Sequence, residues 1–278
     1  MTNPGSDEDL RKEITVALSR AAYFHNIAGP GPGICPVCRG PAPTTGLCST
    51  CSTTQANLHG ATCDHTFFLA YADGYNPDAW SQSAHTMRQY KAAPAPQQCV
   101  EDVHMLTLTE TWLHDPCIRA AEGGGDWDVA TYVPSKKRTG LHPVTGVALN
   151  VARIAADDPD DGCPRRIKRV SLACGPVDAA RVANIDRFTV PDAVRPVVEG
   201  KRVLLVDDTW TTGTSLQSAA AALKSAGAAS VTGLCVARWL SWRWEPDAVL
   251  LRDVTAAPYD PFRCLAGTHQ CRLRSAQR

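Results

Sequence analysis

The chain has 278 residues, of which 28 are Lys or Arg and 28 are Asp or Glu, so its formal net charge is zero. Hydrophobic residues make up 44% of the sequence, which is typical of a globular protein and too high for a disordered one. The neutral charge excludes a general cationic surface for nucleic acid. No apolar run approaches the roughly 20 residues that a membrane-spanning helix needs, so no membrane partner is expected.

The polar segment 1–20 lacks the apolar centre of a secretory signal peptide, which predicts a cytoplasmic protein. The sequence contains twelve cysteines. In a reducing compartment, clustered cysteines favour metal binding over disulfide formation.

The first 122 residues predict several helices and one strand. Ser6 caps the first helix, and Leu10 and Ile14 recur within it at helical spacing. A run of Gly and Pro at 29–33 then breaks the chain, and 92–96 is a predicted linker. In chain order we expect a helix at 7–24, a strand at 66–72, and helices at 79–91 and 99–121.

Two Cys-x2-Cys pairs lie nine residues apart in the N-terminal region: Cys35 with Cys38, and Cys48 with Cys51. Four thiolates match the closed tetrahedral coordination of structural Zn²⁺, so residues 35–60 are predicted to form a small zinc ribbon. The alternatives are two unrelated pairs of free thiols, or a redox-active pair.

Other cysteines lie outside this segment. Cys63 with the nearby His65, and Cys264 with Cys271, are candidate additional metal ligands, but buried free cysteines are the favoured interpretation. We interpret the remaining ones as core or incidental residues: Cys99, Cys117, Cys163, Cys174 and Cys235.

From residue 126 onward the pattern alternates between strands and helices. Near-continuous apolar strands that alternate with helices predict an α/β fold, with a parallel sheet covered by helices on both faces. The predicted strands are 127–133, 168–173, 202–206 and 230–237, and the predicted helices are 143–156 and 214–226.

The most specific segment is a buried strand that ends in Asp207 and Asp208 and is followed by a loop and a helix. A loop that leads into a helix N-terminus offers free N–H groups and a positive dipole end to a phosphate. The carboxylates would repel a phosphate, so they suit sugar hydroxyls or a metal. The loop residues are Thr211, Thr212, Gly213, Thr214 and Ser215.

Three other kinds of site or structure can contain such an acidic pair. A Walker-B site requires a G-x-x-x-x-G-K-[ST] partner, which the chain lacks. A receiver domain would place its acidic pair near the N-terminus. A purely structural strand, turn and capped helix would not explain why both carboxylates and the loop coincide.

Segment 202–215 resembles the phosphoribosyl pyrophosphate (PRPP) motif of type I phosphoribosyltransferases. That motif has four apolar residues, two acids, three spacers, Thr, Gly, a spacer and Thr or Ser. The resemblance implies that Asp207 and Asp208 are catalytic residues that bind the ribose hydroxyls. It also implies that 211–215 binds the 5′-phosphate of PRPP.

The resemblance extends to the ComF-type competence-associated phosphoribosyltransferases. It is carried by the four-cysteine segment, by Val133-Pro134-Ser135 at a strand end, and by Arg181, Asn184 and Phe188 ahead of the PRPP strand. Where that family commonly has Pro-Val-Pro and then Arg-Gly-Phe-Asn, this chain has a different, basic sequence. The superfamily implies catalytic Mg²⁺ and a second loop for the pyrophosphate, which we expect at Ser135, Lys136, Lys137 and Arg138.

The predicted function is PRPP-dependent transfer of a phosphoribosyl group to an unidentified acceptor, with release of pyrophosphate. The alternative is a non-catalytic PRPP- or nucleotide-binding adaptor in DNA uptake or handling, with a helicase or single-stranded DNA as partner. For 238–244, which interleaves Arg and Trp, packing is favoured over base stacking. The expected domains are an N-terminal helix and linker (1–34), the zinc ribbon (35–60), a connecting region (61–122), a phosphoribosyltransferase-like domain (123–245) and a C-terminal extension (246–278).

Overall fold

The computed structural model describes residues 6–135, 143–156, 167–177 and 182–273. These residues contain a five-stranded parallel sheet and a small two-stranded antiparallel sheet. The strands are β1 (His65–Gly74), β2 (Val129–Tyr132), β3 (Lys168–Arg169), β4 (Ala173–Cys174), β5 (Phe188–Thr189), β6 (Arg202–Trp210) and β7 (Ser230–Ser241).

Helices connect and cover the strands. Among the described helices, none combines the length and the apolar character that crossing a membrane requires. The helices are α1 (Asp7–Leu18), α2 (Ser49–Asn57), α3 (Gln82–Gln89), α4 (Gln97–Ala121), α5 (Pro143–Ala156), α6 (Arg195–Val198), α7 (Thr214–Ser225) and α8 (Glu245–Thr255).

Strand β6 lies in the middle of the main sheet, whose order is β1-β7-β6-β2-β3. Its residues 203–206 are completely buried. A strand that is apolar on both faces is stable only where helices cover both sides of the sheet, as in parallel α/β proteins. The predicted α/β class, with a parallel sheet flanked by helices, is therefore confirmed.

The chain winds through the sheet in two directions. From β2 it passes through α5 to β3 on one side, and from β6 it passes through α7 to β7 on the other. Because such crossovers are right-handed, α5 and α7 cover opposite faces. The order reverses between β2 and β6, and the carboxyl ends of strands at such a reversal are where open parallel sheets bind ligands.

Helix α4 covers the sheet beside α5. It packs against α5, β1 and β7, whereas α7 packs against β6, β7 and the segment around β5. Strand β1 comes from the predicted connecting region and pairs in parallel with β7 along nearly its whole length. The sheet that positions the cleft is thus built from residues on both sides of position 123.

Several predicted elements differ in length from the observed ones. Strands β6 and β7 continue four residues beyond their predicted ends, at 206 and 237. The predicted strand 168–173 is divided between β3 and β4, because the short β2 ladder ends at the backbone hydrogen bond from Val170 to Ala130. Three helices, α2, α6 and α8, were not predicted.

The first cysteine pair docks on the sheet through three consecutive backbone carbonyls. The Thr66 hydroxyl donates to the carbonyl of Val37, and the Tyr71 hydroxyl donates to that of Arg39 at 2.5 Å. Between them, Arg238 Nε donates to the carbonyl of Cys38 at 2.9 Å. Since all three donors belong to β1 or β7, this segment is fixed against one end of the sheet.

Candidate active site

A cleft of about 980 Å³ opens at the carboxyl ends of β1, β2, β6 and β7. It lies at the point where the strand order reverses, as expected for a ligand site. The predicted site residues that line it are Ser135, Asp207, Asp208, Thr211, Thr212 and Ser215. The predicted pyrophosphate-binding residues Lys136, Lys137 and Arg138 lie outside the described residues.

The two acidic residues at the end of β6 have different environments. Asp207 is half-buried, and its Oδ1 accepts a hydrogen bond of 2.9 Å from the backbone N–H of Asp208. Asp208 is only 4% exposed. Successive side chains on a strand point to opposite faces, which is why these neighbours do not share the same partners.

Two residues at the end of α3 hold the Asp208 carboxylate. The Tyr90 hydroxyl donates to Oδ2, and Lys91 Nζ donates to Oδ1 at 2.5 Å. Lys91 Nζ also donates to Thr209 Oγ1 at 3.1 Å. A buried carboxylate is costly unless it is paired and hydrogen-bonded, so Tyr90 and Lys91 stabilise the ionised form of Asp208.

Sequence reasoning did not find Tyr90 or Lys91. They precede Asp208 by more than a hundred positions, and nothing in the segment 82–91 marks it as part of a site. The only local signal is a cation next to an aromatic residue at a helix end, which is too common to be specific. Helix α3 is brought to the site by its packing on β1 and α4.

The Asp207 carboxyl has a pKa well above its ordinary value. Burial is the main cause, and the negative charge of Asp208 adds to it, while the cations Lys91 and Arg187 oppose it. A half-buried carboxyl beside a second carboxylate in a cleft is typical of functional sites. A cation or hydroxyl donors next to such a carboxyl group would stabilise its ionised form.

The loop after β6 turns sharply into α7. Gly213 is the residue before the helix and has φ +77°, a left-handed conformation that favours glycine. A Cβ at this position would lie 2.1 Å from the indole of Trp210. Backbone conformation and close packing thus both require glycine here.

The loop presents polar groups at the N-terminus of α7. The hydroxyls of Thr212 and Thr214 lie 3.3 Å apart, and no side chain caps the helix. Unsatisfied N–H groups at a helix start carry a partial positive charge that attracts anions. Thr211 is exposed and Ser215 half-buried, so both are accessible from the cleft. The arrangement can bind a phosphate.

Arg238 fixes this loop from behind. Its Nη1 donates to the carbonyl of Thr211 at 3.1 Å, while its Nε donates to Cys38. Arg238 is only 7% exposed, and Leu240 is completely buried. The indole of Trp242 donates to Asp73 Oδ2 at 3.0 Å. The predicted packing role of segment 238–244 is therefore seen at these three residues.

Aromatic and cationic side chains form another wall of the cleft. The rings of Tyr75 and Trp239 meet edge to face at 5.9 Å between centroids, and the Arg88 guanidinium lies 4.8 Å from the Trp239 ring. Trp244 is half exposed and also lines the cleft. Such a wall offers stacking surfaces to a planar ligand.

The four predicted metal ligands Cys35, Cys38, Cys48 and Cys51 converge, with their sulfur atoms within 4.8 Å of one another. The backbone N–H of Cys48 donates to Cys35 Sγ at 3.5 Å, and that of Cys51 donates to Cys48 Sγ at 3.4 Å. Contact with the neighbouring thiols lowers the pKa of Cys35. Four convergent sulfurs with N–H donors are compatible with a zinc ribbon, although the second pair opens α2 instead of a second turn.

The cysteines outside this cluster divide into two kinds. Cys63 is not part of it, and its backbone N–H donates to Gln217 at 2.7 Å. Cys117 and Cys271, however, come together with His114 between α4 and the C-terminal segment. The sequence favoured isolated free cysteines at both positions, because their separation along the chain hides their proximity.

Comparison with known proteins agrees with this geometry. Residues 167–250 match the family model for the phosphoribosyl transferase domain. These residues include β6, the acidic pair and the loop before α7. The match supports a type I phosphoribosyltransferase domain. The four-cysteine segment and α4 precede the matched part of this domain.

Part of the chain is also similar to a curated protein. Over 111 residues the chain is 31% identical to ribose-phosphate pyrophosphokinase 2 of Archaeoglobus fulgidus. The alignment covers 39% of this chain and 41% of that protein, so the chain spans less than half of its relative.

Two solved structures align with the chain as well. The allosteric regulatory enzyme of purine biosynthesis is 22% identical, with 47% of this chain and 26% of that chain covered and a TM-score of 0.29. A phosphoribosyltransferase from Corynebacterium diphtheriae is 18% identical, with 70% and 96% covered and a TM-score of 0.28.

We expect Gly213→Ala to destabilise the protein more than Gly200→Ala. Both glycines have positive φ, for which a left-handed alanine costs about 1–2 kcal/mol. A Cβ at 200 meets no atom within 4 Å, whereas at 213 it meets the Trp210 ring. Denaturant unfolding of the two variants isolates the contact with the ring. Equal losses of unfolding free energy would show that Trp210 moves away freely.

Proposed function

We propose that this protein transfers the phosphoribosyl group of PRPP to an acceptor and releases pyrophosphate. The observation that carries the proposal is the shared cleft. A carboxylate pair at the end of β6 and an anion-binding loop at the start of α7 face the same space. A sugar phosphate needs these two groups of partners, and they must be separated by the length of one ribose.

Each part of the cleft then has a role in binding. The loop 211–215 holds the 5′-phosphate through backbone N–H groups and hydroxyls. Asp207 and Asp208 accept hydrogen bonds from the ribose hydroxyls, which fixes the orientation of the sugar. Ser135, which lines the cleft, binds the pyrophosphate together with Lys136, Lys137 and Arg138, whose basic charges would balance that of the pyrophosphate.

The chemical step exchanges one bond at the anomeric carbon of ribose for another. The bond to the pyrophosphate oxygen breaks with its electron pair, and the acceptor supplies the pair for the new bond. Phosphoribosyltransferases generally use Mg²⁺, which would neutralise part of the pyrophosphate charge. The ionised carboxylate of Asp207 would stabilise the positive charge that develops on the sugar.

The acceptor side of the cleft is proposed to be the wall formed by Tyr75, Arg88 and Trp239. A planar acceptor would stack on Trp239, opposite the face from which the pyrophosphate leaves. We include in this proposal that the protein acts as a ComF-type, competence-associated phosphoribosyltransferase. A non-catalytic PRPP-binding adaptor in DNA handling is the second candidate, favoured only by the four-cysteine segment, and pyrophosphate release in a panel of acceptors separates the two.

We expect Asp207→Asn and Asp208→Asn to weaken PRPP binding about 10- to 100-fold, because each loses a charge-assisted hydrogen bond worth roughly 1.5–3 kcal/mol. Calorimetry with Mg²⁺ and PRPP measures this change. Asp192→Asn is the control, since Asp192 is exposed and does not line the cleft. An absence of PRPP binding by the unmodified protein would refute the proposed function. Unchanged binding in both site variants would place PRPP elsewhere.

PRPP affinity is expected to fall as the pH falls through the raised pKa of Asp207, because only the ionised carboxylate accepts two hydroxyl hydrogen bonds. Lys91 lowers that pKa. Lys91→Gln should therefore move the midpoint of the binding profile to higher pH. Calorimetry across a pH series tests this shift.

The control for this shift is Lys201→Gln, at the exposed opposite end of β6. The titration of PRPP itself is the same for every variant and cancels in the comparison. A midpoint that stays in place or moves to lower pH in Lys91→Gln would contradict the expected coupling between Lys91 and Asp207.

We further propose that Cys35, Cys38, Cys48 and Cys51 bind one structural Zn²⁺. The double variant Cys38→Ser/Cys51→Ser should lose one equivalent of zinc per chain, because two ligands are insufficient for a closed tetrahedral site. Elemental analysis of purified protein measures the loss. Cys63→Ser is the control and should keep its zinc. Equal zinc in the double variant and the unmodified protein would exclude this site.

A further inference from the structure

Four side chains with metal-ligating atoms meet between α4 and the segment that follows α8. His114 and Cys117 lie one turn apart on α4, and their ligand atoms lie within 4.8 Å of each other and of Cys271 Sγ. The Cys264 thiol contacts those of Cys117 and Cys271. We call these four residues the helix–tail cluster.

The helix–tail cluster is shielded from solvent. His114 and Cys117 are completely buried, Cys271 is 8% exposed and Cys264 is half-buried. All three cysteines are free thiols. In number and kind, three thiols and one imidazole are a complete ligand set for tetrahedral zinc, whereas a core built for packing alone gains little from three sulfurs in contact.

The orientation of His114 matches that of a metal ligand. Its Nε2 lies 2.9 Å from the carbonyl oxygen of Pro261 and 3.2 Å from a carboxylate oxygen of Glu110. The carbonyl oxygen of Pro261 can only accept, so Nε2 carries the proton. In a neutral ring this leaves the lone pair on Nδ1, which lies 3.7 Å from Cys117 Sγ. Ligating histidines typically donate their other N–H to a carbonyl or carboxylate in this way.

The cluster also shares a local feature with the N-terminal one. The backbone N–H of His269 donates to Cys264 Sγ at 3.3 Å. Equivalent N–H donors point to Cys35 and Cys48 in the first cluster. Such donors stabilise negative charge on sulfur, which a coordinating thiolate carries.

We propose that His114, Cys117, Cys264 and Cys271 bind a second structural Zn²⁺ that fastens the C-terminal segment to α4. Soft thiolates with one imidazole select zinc over Mg²⁺ or Ca²⁺. With four protein ligands the site has no open position for a substrate, so its role is structural.

The C-terminal segment donates hydrogen bonds to backbone carbonyl groups of α4. Pro116 lacks an N–H, so the carbonyl of Trp112 has no partner of the ordinary kind within α4. Arg272 supplies one, since its Nε donates to Trp112 and its backbone N–H donates to Leu113, both at 2.9 Å. Thr268 Oγ1 donates to the carbonyl of Cys117 at 3.0 Å.

These contacts are made by the segment that follows α8. Among the described residues, this segment contains no helix or strand. A short irregular segment loses much conformational entropy when it is ordered. Metal binding supplies folding free energy directly in small sites of this kind. A zinc ion at the helix–tail cluster would therefore hold Arg272 and Thr268 in position on α4.

Zinc stoichiometry on the full chain, by elemental analysis, is the first test. The unmodified protein should hold two zinc ions, and Cys264→Ser/Cys271→Ser should hold one. Cys99→Ala is the matched control, because Cys99 is a buried cysteine on the same helix outside the cluster, and it should keep both ions. Equal zinc in Cys264→Ser/Cys271→Ser and the unmodified protein would overturn the proposal.

Cobalt spectroscopy on Cys38→Ser/Cys51→Ser is the second test and does not require the tail variant to fold. Co²⁺ added to this chain should give the absorption bands of a tetrahedral site with three sulfurs and one nitrogen. His114→Cys in the same background should shift them to the bands of four sulfurs. Absence of a tetrahedral spectrum, or an intact mass in non-reducing conditions that shows a disulfide at these cysteines, would overturn the proposal. Neither measurement depends on PRPP binding.

Discussion

The guanidinium group of Arg238 connects the two parts of the molecule that surround the cleft. It donates at 2.9 Å to the carbonyl of Cys38 and at 3.1 Å to that of Thr211. A buried cation is stable only when its hydrogen bonds are satisfied, so both carbonyls must stay in place. A Cβ at residue 40 would lie 2.6 Å from its Nη2, which makes glycine necessary there. The cysteine segment and the loop that leads into α7 are thus fixed by one side chain of β7.

The reversal of strand order explains why the candidate site has its composition. It places the ends of β2 and β6 side by side, and α7 begins directly beyond β6. Asp207 is half-buried at this point, and its raised pKa follows from burial next to Asp208. The packing of α3 on β1 then brings Lys91 to the same pair. Charge balance in the cleft therefore depends on an element far away in sequence.

The two cysteine-containing clusters lie in segments that have little regular structure and must be held against the core. The segment 35–51 and the segment after α8 both contain little regular structure for their length. Each packs against the core through backbone carbonyls that accept side-chain hydrogen bonds or through side chains that donate them. The proposed zinc ions would supply the folding free energy that these segments cannot obtain from apolar burial alone. Loss of either ion should make the corresponding segment less ordered without changing the central sheet.

The sequence by itself determined the features that depend on neighbouring residues. These are the apolar strand of β6, the acidic pair at its end, the Thr- and Gly-containing loop that follows it, the helix 143–156 and the spacing of the first four cysteines. Only the tertiary structure decided which distant groups meet: Lys91 with Asp208, Arg238 with Cys38 and Thr211, and Cys117 with Cys271. The physical reason is that periodicity, capping and turn conformation are local properties. Contacts between residues that are not neighbours in the sequence arise from the order of the strands and the packing of helices on them.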